Sequence, residues 1–162
     1  MALTNSQKAA TMARVERLRP DMRPQFRAFF LAAWDAGHDV VATQADRDDA
    51  AQLVLWKQGR TTVGPKATPK RPLGLTVTNA RTAWETPHGC RCAIDFAFLI
   101  GGKLVAVAPG VLHSWSESLP WAEVGAIAES VGLAWGGRWH SPDKPHVEHP
   151  DWRTIRGART AS

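Results

Sequence analysis

The feature that most restricts the fold is one aspartate inside an apolar run, "CAIDFAFLIGGKLVAVAPGVL", residues 92–112. Gly101, Gly102, Lys103 and Pro109 interrupt the run, so it is not a membrane-spanning helix. It reads instead as a β-hairpin, with strands over 90–99 and 103–108 joined at Gly101-Gly102. A carboxylate at Asp95 in such a strand is costly unless something compensates its charge. The fold must therefore bring a partner to the middle of this strand from elsewhere in the chain.

Around the hairpin, helical and extended segments occur in runs rather than in strict alternation. Apolar residues recur at helical spacing from Val15 to Ala36, with Pro20 and Pro24 dividing a short first piece from a main helix starting near Asp21. "HDVVAT" (38–43) reads as a short strand, and 46–59 as a helix that begins with acidic residues and stops at Gly59. Residues 60–82, rich in Thr, Gly, Pro and Lys, form a long loop of the kind that often borders a functional groove. A further helix is expected over 118–132, with Ser118 as cap and Gly132 as stop, followed by strands in "LAWGGRW" and "PHVEH". The expected architecture is α+β, a small antiparallel sheet with helices packed against it. One domain spans 1–162, with its core at about 15–150 and frayed ends over 1–12 and 151–162.

The net charge of +5 suits an anionic partner. The basic residues are spread along the chain and no nucleic-acid-binding motif is present, so no nucleic acid is expected. Lys8, Arg14 and Arg17 interrupt the N-terminal segment, which lacks the apolar stretch of a signal peptide. Two cysteines one residue apart are expected to stay reduced, and the default state is a monomer.

His88 precedes Asp95 by seven positions, and a loop entering the strand can fold back so that both share a cation, with N and O ligands suited to zinc. Cys90 and Cys92 are possible softer ligands, although strand parity turns Cys92 toward the core. In residues 135–149, Pro142 and Pro145 exclude a helical zinc motif. What remains is Asp143 three residues before His146, a spacing that can hold a general base beside a metal site. Glu148 shares a strand face with His146, either supporting it or facing solvent. Trp135 and Trp139 are expected in the wall and core of a cleft.

Taken together, Thr86-Pro87-His88, Asp95, "GLAWGGRW" (132–139) and Asp143-Lys144-Pro145-His146 resemble a family pattern. It is that of phage endolysins of the L-alanyl-D-glutamate peptidase type. These belong with the D-alanyl-D-alanine carboxypeptidases and share the hedgehog-domain metallopeptidase fold. The resemblance runs over roughly 25–150 and extends upstream to Thr43 through Asp48 and Gln58-Gly59-Arg60. It implies that His88, Asp95 and His146 bind Zn2+, that Asp143 deprotonates the attacking water, and that Arg47 stabilises the oxyanion. Thr86 and Trp139 would contact substrate, which would be bacterial peptidoglycan cut between L-alanine and D-glutamate. The enzyme would wait in the host cytoplasm and reach the wall after the membrane opens. Cleavage of a terminal D-Ala-D-Ala bond and non-catalytic wall binding remain alternatives. Thr86 stands where the pattern has Ser, Arg91 where it has Gly on the metal-facing parity, and Asp46 and Asp48 replace the Tyr and Ser that flank the arginine.

Overall fold

The structure is a computed structural model and describes residues 2–105 and 118–160. The expected strand end at 106–108 and His113 lie outside the described residues. The first element, α1 (Asn5–Val15), corrects the expectation of a frayed start. Thr4 and Gln7 form a reciprocal capping box that satisfies backbone N–H groups of the first turn. Thr11 and Val15 are buried, and the Thr11 hydroxyl accepts a hydrogen bond from the Ala42 amide. One buried stripe on a mostly polar segment suffices to dock this helix.

α2 (Arg23–Asp35) starts with Pro24 in its first turn and buries Phe26, Phe29, Phe30 and Ala33. β1 (Val40–Gln44) follows, then α3 (Asp49–Lys57), capped by the Asp48 carboxylate on the Ala51 amide. The hairpin forms as expected from β2 (Ala93–Ile100) and β3 (Lys103–Val105). α4 (Trp121–Ser130) begins at Pro120 with no side-chain cap, so Ser118 does not cap it. β4 (Ala134–Trp135), a 3-10 turn over Gly136–Arg138 and β5 (His146–Glu148) complete the sheet. α5 (Trp152–Thr160) replaces the expected frayed tail, and Trp152 is buried at its start.

All strand pairs are antiparallel, in the order β1-β2-β5-β4. β3 shares an edge of β2 with β5: β5 pairs with Ala93 to Asp95, and β3 with Phe98 to Ile100. β2 is therefore central and its two faces differ. Ile94, Phe96 and Phe98 belong to the core formed with α2 and α4, where Phe96 lies 5.5 Å from Phe29 and Phe98 meets Trp121 edge-on at 5.0 Å. Asp95 points from the opposite face.

Candidate metal centre and cleft

Strand register decides the site. Asp95 on β2 is paired directly with His146 on β5, fifty-one residues downstream. His88 reaches the same point from the turn before β2. That turn is held by the Thr86 hydroxyl, which donates to the Ala83 carbonyl at 2.7 Å and accepts from the Gly89 amide at 3.0 Å. The three side chains converge. His88 Nε2 and His146 Nδ1 lie 3.1 and 3.0 Å from Asp95 Oδ1, and 3.2 Å from each other.

The outer nitrogens fix what the inner ones can do. His88 Nδ1 lies 2.8 Å from the Ala45 carbonyl, and His146 Nε2 lies 2.9 Å from Glu148 Oε2. Both partners can only accept, so both outer nitrogens carry hydrogens. In the neutral rings, Nε2 of His88 and Nδ1 of His146 are then bare and face a carboxylate oxygen. Three acceptors with no donor among them call for a cation. Two nitrogens and one oxygen within 4.8 Å of one another are a donor set suited to zinc, and the residues fit that ion. Without a metal, a proton is the natural substitute. Burial opposes charge on His146, yet its hydrogen bonds to Asp95 and Glu148 lift it to about 9. Burial likewise opposes charge on Asp95, but hydrogen bonds from His146 and His88 hold it well below the usual carboxylate range.

Asp143 and Arg47 flank this centre. The motif "WGGRW" places Asp143 through backbone contacts. The Asp143 amide donates to the Gly136 carbonyl at 2.9 Å, and a Cβ on Gly136 would fall 2.5 Å from the Asp143 carbonyl oxygen. Gly137 lies so close to the Trp135 ring that its Cβ would come within 2.1 Å, while the Trp135 indole donates to the Lys144 carbonyl at 2.8 Å. Burial pushes the Asp143 carboxyl up, with His146 pulling it back and Asp95 adding to the rise.

The acids beside Arg47 are occupied elsewhere: Asp46 pairs with Arg17 at 2.7 Å and Asp48 caps α3. Arg47 itself turns into the cleft, its Nη atoms held by Gln52 at 2.9 Å and Gln44 at 2.7 Å. Burial lowers its guanidinium pKa, and the nearby Asp95 and Asp143 raise it. Trp139 is 41% exposed with its ring 5.2 Å from that of His146, which makes it cleft wall; Trp135 is buried core. Thr86 also lines the cleft, but its hydroxyl serves the turn that carries His88. Its role there is to position the turn.

Arg91 does not face the metal centre. It is exposed, in the turn before β2, with a left-handed φ of 57°. Glycine adopts that conformation without strain, so backbone geometry accounts for glycine in the family pattern at this position. Cys90 and Cys92 are buried thiols outside the ligand cluster, the Cys90 thiol donating to the Trp84 carbonyl at 3.4 Å, and burial pushes the Cys92 thiol up to about 12. Glu148 is buried against His146 rather than exposed.

Two residues escape sequence reasoning. Gln52 is fully buried and joins Arg47 to the Ala80 carbonyl (2.8 Å) of the 60–82 loop; its signal was only a lone amide in the first turns of an apolar helix. Trp152 donates its indole N–H to Glu148 Oε1 at 3.0 Å; Trp152 and Ile155 at helical spacing were the available hint. The cleft, of about 740 Å³, is lined by the metal-centre residues, Arg47, Asp143 and Trp139, by the loop at 77–80, and by Arg153 and Arg156 of α5.

Residues 79–149 match the family described as D-alanyl-D-alanine carboxypeptidase. Over 132 residues the chain is 33% identical to the peptidoglycan L-alanyl-D-glutamate endopeptidase CwlK of Bacillus subtilis (strain 168), covering 81% of this chain and 72% of that protein. Its fold is similar to that of the L-Ala D-Glu endopeptidase ChiX of Serratia marcescens, with a TM-score of 0.62 at 14% identity over 91% of each chain. It is also similar to the vancomycin-resistance D,D-pentapeptidase VanY in complex with Zn(II), with a TM-score of 0.53 at 13% identity over 97% of this chain and 83% of that one.

Proposed function

The chain belongs to the D-alanyl-D-alanine carboxypeptidase family of metallopeptidases and is a peptidase, and on that premise we propose that it is a zinc-dependent endopeptidase cutting the L-Ala–D-Glu bond of peptidoglycan. The observation that carries the zinc reading is the convergence of three acceptor atoms, His88 Nε2, Asp95 Oδ1 and His146 Nδ1, with no donor among them. The choice of bond rests on the relative from Bacillus subtilis, whose name states that cleavage.

When bound, the metal supplies Lewis-acid polarisation at the reacting carbonyl. The remaining work belongs to the chain. Asp143, raised by burial and set beside the ligands, takes the proton of the attacking water and can return it to the leaving amine. Arg47, held by Gln44 and Gln52, presents positive charge to the oxygen that becomes anionic. Trp139 walls the cleft beside His146. Arg153 and Arg156 give its α5 side a positive charge suited to the carboxylates of an acidic stem peptide. The role that fits this activity is lysis by a phage enzyme, held in the host cytoplasm and released onto the wall; a net charge of +5 suits the anionic envelope.

Digestion of purified peptidoglycan, with fragments identified by mass spectrometry, tests this reading. Wild type releases fragments with new N-terminal D-glutamate. EDTA abolishes the release, and Asp143→Ala lowers the rate by about a hundred- to ten-thousandfold while retaining zinc. Free D-alanine as the product would reassign the enzyme as a carboxypeptidase. No cleavage by folded, zinc-loaded wild type would reject peptidoglycan hydrolysis.

A further inference from the structure

Behind the ligands runs a second line of contacts, and it ends in α5, beyond the 79–149 stretch that matches the family. His146 Nε2 donates to Glu148 Oε2 at 2.9 Å, and Trp152 Nε1 donates to the other carboxylate oxygen, Oε1, at 3.0 Å. Glu148 and Trp152 are each 5% exposed, so their contact is largely shielded from bulk water. The Trp152 ring is covered by the guanidinium of Arg153 at 4.6 Å, which keeps the indole in place.

We propose that Trp152, acting through Glu148, is a positioning residue for the metal centre, so that the seating of α5 sets how tightly the centre holds its ion. A buried carboxylate needs a donor on each oxygen or its charge goes uncompensated. The Trp152 N–H supplies one donor and His146 the other. Glu148, held at both oxygens, fixes the ring orientation and tautomer that point Nδ1 of His146 at Asp95. Loss of the indole N–H frees Glu148 to turn, and the His146 ring with it. Supporting groups of this kind characteristically change metal affinity by about ten- to hundredfold. The inference rests on the reading of His88, Asp95 and His146 as a metal centre.

Zinc affinity, measured by competition with a chromophoric chelator, is the readout, and no turnover is needed. Trp152→Phe keeps an aromatic ring in the core and removes only the N–H donor. It is expected to bind zinc about ten- to hundredfold more weakly than wild type. Trp34→Phe is the control, because it deletes an equivalent indole donor, to the Val40 carbonyl at 2.8 Å, away from the centre. Its affinity stays at the wild-type value. Glu148→Gln carries one acceptor oxygen where two donors converge, and it weakens binding at least as much as Trp152→Phe; it decides the matter should Trp152→Phe not fold. Wild-type affinity in Trp152→Phe, or equal weakening in Trp34→Phe, would overturn the proposal. Zinc binding that survives His146→Ala would instead remove the metal centre on which it rests.

Discussion

On the proposed reading, a proton and a metal ion compete for one lone pair at Nδ1 of His146. In the metal-free protein, hydrogen bonds to Asp95 and Glu148 outweigh burial and lift this imidazole from 6.5 to about 9. A histidine raised on folding contributes stability that is complete below its unfolded value and is lost as pH rises through the folded one. The melting temperature of the EDTA-treated protein is therefore expected to decline between about pH 6.5 and 9.5, and His146→Gln to flatten that decline. For the same reason zinc uptake at pH 7 releases close to one proton, measurable by calorimetry in buffers of different ionisation enthalpy. The residues that meet in this cleft were legible in the chain, because His88, Asp95, Asp143 and His146 are spaced as in the family pattern they resemble. Arg91 was not legible. Parity placed it on the metal face, whereas the left-handed turn before the strand directs it to solvent.

Elements carry the ligands to one another, and two substitutions separate their contributions. Gly136→Ala would drive a Cβ to within 2.5 Å of the Asp143 carbonyl oxygen. It is expected to displace the 136–146 loop, lowering both zinc affinity and turnover while leaving α2 and its core intact by far-UV circular dichroism. On the proposed reading the α5 arginines, which line the cleft, act on substrate instead. Arg153→Glu/Arg156→Glu is expected to raise KM for acidic stem peptides several-fold, with the salt dependence of KM weakened. Both element ends expected to fray are helices. α1 docks by a narrow stripe and a capping box, and α5 by Trp152 and Ile155, signals that a mainly polar composition conceals.

For the molecule as a whole, the face of β2 opposite Asp95 is the foundation. Phe96→Ala removes a fully buried ring that contacts Phe29 and Trp121, and is expected to cost about 3–5 kcal/mol of stability in urea unfolding. The loss exceeds that of any surface substitution because the cavity lies where sheet and helices meet. The chain by itself determined the hairpin, the amphipathic helices and the apolar partition of β2, since each is written in local periodicity, and its short motifs singled out the three side chains that converge. Tertiary structure alone decided the rest. Antiparallel register set Asp95 opposite His146, the helix cap and the Arg17 pair drew Asp48 and Asp46 away from Arg47, and α5 brought Trp152 to Glu148. The Asp95–His146 and Asp46–Arg17 contacts join segments distant in sequence, and the two local ones form only where α3 and α5 start. Their energies depend on which elements pack together, and no local pattern records that.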